Sequence, residues 1–142
     1  MLYRLLLAWL IDFLCACSSP DDEVKLRQAI ATMEEAGEAG EIGRFMEFVA
    51  EDFVGSEAGM ARADLRRLLL LQLRRNARVS ALVSNVEVEL FEDRATLNCL
   101  ALLTGGPSGW LPDRGQLYVI ETGWRKEGGD WLLIQANWQP QL

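Results

Sequence analysis

The chain has 142 residues, 14 of them basic and 21 acidic, for a formal net charge of −7, and it contains no histidine. An acidic balance of this kind argues against non-specific nucleic-acid binding, and the length allows one domain with its own core but not two. Without histidine the usual group that titrates near neutral pH is missing, so any acid–base chemistry falls to carboxylates.

Met1 to Cys17 reads as an export signal: Arg4 supplies the charged start, and Leu5 to Leu14 is an apolar run, interrupted by Asp12, that is too short to span a bilayer at ~20 residues. Its end, Leu14-Cys15-Ala16-Cys17, resembles the bacterial lipoprotein box, which implies a lipid on Cys17. Ser18 stands where an aspartate would imply inner-membrane retention, so the resemblance implies the periplasmic face of the outer membrane. A Cys-x-Cys metal or redox site is the rival reading, but no histidine and no second cysteine pair complete a ligand set. No metal and no cofactor are expected. The expected organisation is a signal peptide over 1–16, a short tether over 17–21 and a single domain over 22–142, with Cys99 as its one other thiol and so no internal disulfide.

Ser18, Ser19, Pro20 and the acids that follow suit a helix start, and the stripe Leu26, Ile30, Met33 predicts a first helix from Pro20 to about Ala36. After Gly37 and Gly40, the spacing of Ile42, Phe45, Met46, Val49, Ala50 and Phe53 predicts a second amphipathic helix ending near Gly55. A third, from Ala61 to Asn76, turns Leu65, Leu68, Leu69 and Leu73 inward. With Arg78 just beyond, it gathers six of the 14 basic residues, either a patch for anionic groups or a solvated face balancing the glutamates of the preceding helices.

Two hairpins follow. Val79 to Thr104 turns at Glu92-Asp93 and sets Val86, Val88 and Leu90 on one face with Ala95, Leu97, Cys99 and Ala101, which makes Cys99 a small core residue and not a nucleophile. Gln116 to Trp138 turns at Gly128-Gly129, a pair suited to a two-residue loop. Counting back from that loop pairs Lys126 with Trp131, Trp124 with Leu133, Thr122 with Gln135 and Ile120 with Asn137, all on one face with Tyr118. Apolar groups around Thr122, Gln135 and Asn137 fit either a pocket with a few orienting polar groups or a core whose polar members lie at a wet rim. Between the hairpins, the glycine- and proline-rich stretch from 105 to 115 reads as a loop carrying Trp110 and Leu111, for a lid, a partner contact or a fold-back onto the sheet.

The order is helix, helix, helix, hairpin, hairpin, an α+β layout with three N-terminal helices packed in the concave side of a curved antiparallel sheet. At E-F-V-A-E-D-F-V-G, F-E-D-R-A-T-L and G-W-R-K-E-G-G-D-W-L-L-I the chain resembles the nuclear transport factor 2-like superfamily, which includes ketosteroid isomerase and polyketide cyclases, over about Asp22 to Trp138. That resemblance implies a cone-shaped α+β barrel, and a homodimer paired through the sheet. It also maps the polar, cavity-facing residue of catalytic or ligand-binding relatives onto Gln135 and Asn137, neither of which can act as a base.

The expected function is therefore a lipid-anchored, non-catalytic envelope protein. It would hold a small apolar molecule or an envelope protein partner through Tyr118, Ile120, Thr122, Trp124, Leu133, Gln135 and Asn137 with the loop residues Trp110 and Leu111. Two other classes stay open: an isomerase, cyclase or dehydratase whose candidate catalytic residues are Asp52, Tyr118 and Glu121, and a structural component of an envelope complex.

Overall fold

The computed structural model describes residues 20–56, 59–75, 79–105 and 115–141. The signal segment, Cys17, Arg78 and the loop residues Trp110 and Leu111 lie outside the described residues. The elements are α1 (Pro20–Ala39), α2 (Ile42–Met46), β1 (Val49–Gly55), α3 (Arg62–Arg75), β2 (Val79–Leu90), β3 (Arg94–Gly105), β4 (Gln116–Glu127) and β5 (Asp130–Pro140). The architecture is α+β, with three helices packed against a curved five-stranded sheet of order β1-β5-β4-β3-β2.

Helix α1 begins with Asp21, Asp22 and Glu23 at its positive end. Its end is set by Gly40, which takes φ +74 while Glu41 N–H donates to the Ala36 carbonyl (2.9 Å) and Gly40 N–H to that of Gly37 (3.2 Å). That bonding pattern is a glycine-closed helix end. The N-terminus is pinned to the far hairpin: Trp131 Nε1 donates to the Asp22 carbonyl at 3.0 Å, and Lys126 Nζ meets the Asp22 carboxylate at 2.7 Å. Leu26, Ala29, Met33 and Ala36 are buried along one stripe.

The expected second helix is only half present. Five residues, Ile42–Met46, are helical, and the chain then turns and enters strand β1. Val49, Ala50 and Phe53 are buried, as the helical spacing implies, but on a strand whose burial runs buried, buried, exposed, exposed, buried, exposed, buried. Two interactions favour the strand. Leu133 N–H donates to the Phe48 carbonyl at 2.7 Å, starting a parallel pairing with β5, and the Arg62 guanidinium donates to the carbonyls of Met46 (2.9 Å) and Val49 (3.1 Å), satisfying a helix end that the turn leaves open. Because β1 runs parallel to β5, the sheet is mixed and not purely antiparallel.

The tight turn is as expected, with Gly128 at φ 58 and Gly129 at φ 88 joining Glu127 to Asp130. Pairing is regular as far as Trp124 with Leu133 and then slips: Gly123 faces Gln135, Thr122 faces Ala136, Glu121 faces Asn137 and Ile120 faces Trp138. Ile134 is the additional residue of a β-bulge. The bulge lies opposite a glycine, where even a Cβ would come within 3.4 Å of the Gln135 Cβ. β2 has a bulge as well, between Ser84 and Glu87, with Asn85 at φ 51.

Candidate functional site

Curvature of the sheet leaves an apolar cavity of about 350 Å³ between α1, α3 and the concave faces of β2 to β5. That is at the lower end of the ~300–1,000 Å³ range of small-molecule sites. Its floor is set by the alternation of the strands. Leu97, Cys99 and Ala101 come from β3, Tyr118, Ile120, Thr122 and Trp124 from β4, and Leu133, Ala136 and Trp138 from β5. The roof is the inner stripe of α1 with the leucines of α3.

Five of the seven pocket residues expected from the sequence, Tyr118, Ile120, Thr122, Trp124 and Leu133, line this cavity. Gln135 and Asn137 do not. The bulge at Ile134 shifts their phase by one residue, so Gln135 is exposed and Asn137 lies across from Glu121 on the outer face, while Ala136 and Trp138 take the inward positions. With them goes the mapping of the family's cavity-facing polar position onto these two amides.

Polar groups at the cavity are few and mostly engaged. Trp124 Nε1 donates to Thr122 Oγ1 at 2.8 Å, and that hydroxyl donates to the Leu97 carbonyl at 3.3 Å, so the indole is tied to its own strand and its neighbour. Burial pushes the Tyr118 phenol up, keeping it protonated. Cys99 is a free, buried thiol whose pKa is pushed up by burial and then by the charge of Glu34, the opposite of what a nucleophile requires.

The carboxylates at this cavity are residues that sequence reasoning missed. Glu34 and Glu38, one turn apart on α1, both line it, almost wholly through the carbon of their stems. Glu34 has its pKa raised, first by burial and second by the neighbouring charge of Glu38. Glu38 is exposed and accepts a hydrogen bond from Ala81 N–H at 3.1 Å, joining α1 to edge strand β2. The available signal was the stripe Ile30, Met33, Gly37: a glutamate beside it at position 34 must sit at the border of the apolar face.

The candidate catalytic residues do not converge. Only Tyr118 is at the cavity. Asp52 is exposed on β1 and bound bidentately by Arg125 at 2.8 and 2.9 Å, a contact that holds its carboxyl below the usual range. Arg125 also meets Glu127 at 2.8 Å. Glu121 is exposed on the outer face between Asn98 and Asn137. On α3, Arg62 is turned inward as described, and Arg67 pairs with Asp64 of its own helix. Among the described residues no cluster of three or more acids and cysteines is arranged to hold a metal, and no helix is long and apolar enough to cross a membrane.

No family model and no curated protein matches the chain. Solved structures do. A candidate dehydratase from the NTF2-like family of Streptomyces avermitilis superposes with a TM-score of 0.74 at 18% identity, over 87% of this chain and 99% of that one. An NTF2-like protein of unknown function from Pseudomonas putida KT2440 gives 0.72 at 17% identity, over 85% and 87%. Bd1075 of Bdellovibrio bacteriovorus gives 0.72 at 15% identity over 82% of this chain, which spans only 40% of that protein. Three helices closing the hollow of a curved sheet, shared with these structures over most of the chain, make this the nuclear transport factor 2-like fold.

Proposed function

We propose that the chain is a non-catalytic binding protein that holds one small, largely apolar molecule in the cavity between α1, α3 and the sheet. The observation that carries this reading is the cavity itself: about 350 Å³, walled almost entirely by carbon, with the Trp124 indole hydrogen-bonded and the Cys99 thiol neutral. A wall of that kind recognises shape and apolar surface, each fully enclosed methylene contributing about 0.8 kcal/mol. Calorimetric titration with 1-adamantanemethanol, a compact neutral probe, tests it: saturable one-to-one binding is expected, and Ala101→Phe, which places a ring in the floor, abolishes it while the circular dichroism spectrum stays native. Binding that ignores this substitution counts against the cavity.

The same proposal places the domain on a membrane through lipid on Cys17, supported by the Leu14-Cys15-Ala16-Cys17 sequence. The intact mass of protein extracted from its own envelope fraction reads this directly: the added mass of the acyl chains supports the anchor, and an unmodified Cys17 removes it.

One observation favours a second reading, an enzyme of isomerase, cyclase or dehydratase type. Glu34 is a carboxyl with a raised pKa at a cavity that also holds the protonated Tyr118 phenol, a pairing able to move a proton on a bound molecule. Turnover of a carbonyl compound that is lost in both Glu34→Gln and Tyr118→Phe would move the assignment to catalysis.

A further inference from the structure

Glu34 and Glu38 stand where the cavity meets solvent. Both line it through their carbon stems, Glu38 is exposed and Glu34 is half-exposed, whereas the floor residues Leu97, Cys99, Trp124 and Leu133 are buried, which sets the carboxylates at the solvent end. The two carboxylates follow one another by a single helical turn, so they face the same way and repel. Among the described residues no lysine or arginine lines the cavity to offset them. The arginines of α1 and α2 are directed elsewhere: Arg27 to Glu23, and Arg44 to Glu35 and Glu41. The raised pKa of Glu34, caused by burial and by Glu38, is the electrostatic signature of negative charge held next to apolar surface without a cation.

Resting on the binding reading above, we propose that the natural ligand is an amphiphilic amine, whose apolar body fills the cavity and whose ammonium group sits at the mouth between Glu34 and Glu38. Charge complementarity supports this occupant over a fatty acid or another anionic amphiphile, whose head group would meet two like charges. It also supports it over a neutral molecule, which would leave those charges uncompensated at the rim.

The test uses three probes with the same apolar cage on the full chain: 1-adamantanemethylamine, 1-adamantanemethanol and 1-adamantanecarboxylate, titrated by calorimetry at neutral pH and low salt. The amine is expected to bind about tenfold more tightly than the alcohol, and the carboxylate most weakly. In the double variant Glu34→Gln, Glu38→Gln, which keeps side-chain size and an oxygen to accept the Ala81 N–H, amine and alcohol should fall within about twofold of each other. Equal affinity for amine and alcohol in the unmodified chain, or a preference for the amine that persists in the double variant, overturns the amine assignment and leaves the cavity reading standing. Failure of all three probes to bind overturns both.

Discussion

The two hairpins of the sheet are built alike and differ in how openly their sequences declare it. Each is regular beside its turn, Leu90 with Ala95 through Val88 with Leu97 in one and Lys126 with Trp131 through Trp124 with Leu133 in the other. Each then takes one extra residue on one strand and reverses phase. In β2 the sequence marks the break: Ala81 and Val83 alternate inward, Ser84-Asn85 interrupts, and Val86, Val88 and Leu90 resume in the opposite phase, with Asn85 in the left-handed region. In β5 the break falls inside Leu132-Leu133-Ile134, three apolar residues in a row, and nothing in the letters says which is additional. The difference follows from the residues at the break: β2 has Ser84 and Asn85 there, while the outer face of β5 beside its bulge carries Leu132 and Ile134, both half-buried. Alternation records phase only where polar residues are required on one side.

The largest expected effect separates the hairpins by what they bury. Trp131→Ala removes a side chain that is 3% exposed and the hydrogen bond that pins α1 through the Asp22 carbonyl, at an expected cost of about 3–5 kcal/mol. The aromatic residue beside the other turn, Phe91, is 55% exposed, and Phe91→Ala should change stability by no more than about 0.5 kcal/mol. Urea denaturation of the two variants measures both. Similar losses would mean that the β2–β3 turn is covered by something that packs on Phe91.

A second pair of substitutions breaks or sharpens the register itself. With the bulge at Ile134, Trp138 faces the cavity and Gln135 faces solvent, so Trp138→Ala should cost about 2 kcal/mol, less than a fully buried tryptophan, and Gln135→Ala no more than about 0.5 kcal/mol. Trp138→Ala should also weaken binding of 1-adamantanemethanol, which Gln135→Ala leaves unaltered. An unbroken ladder from Gly128-Gly129 predicts the reverse order. Denaturation midpoints and probe titrations of the two variants therefore decide between the registers.

What the sequence made legible follows the same rule. The first helix, expected from Pro20 to about Ala36 and running on through Gly37 to Ala39, the two-glycine turn and the inward rows of β3 and β4 were readable because period and turn chemistry agree there. β1 was not. Val49, Ala50 and Phe53 satisfy a helical spacing from Ile42, yet they are buried residues of a strand, and the four-residue step from Val49 to Phe53, both in the core, fits either period. The parallel partner that decides between them, β5, lies about eighty residues later in the chain, a separation that local patterning does not carry. At the site, the β4 side of the cavity was legible and the β5 side was inverted by one bulge. The helix side was missed because Glu34 and Glu38 resemble ordinary solvated glutamates until the sheet curves beneath them.

That last point carries the smallest effect, and its sign can be worked out. Glu34 faces Glu38 on its own helix and Cys99 across the cavity, and its folded-state pKa lies above the ordinary 4.5. A carboxyl with a raised folded pKa holds its proton more tightly in the folded chain, so its contribution to stability falls as pH rises from below the unfolded value through the folded one. At neutral pH the ionised Glu34 is a net cost, and Glu34→Gln removes it. The variant should therefore melt slightly higher than the parent at about pH 7, with the difference closing toward about pH 3, where the carboxyl is protonated in both states. Melting curves across that range check the slope. If the variant instead melts lower at neutral pH, the Glu34 carboxylate is held by a cationic partner, and the uncompensated charge at the mouth of the cavity is not there to receive an amine.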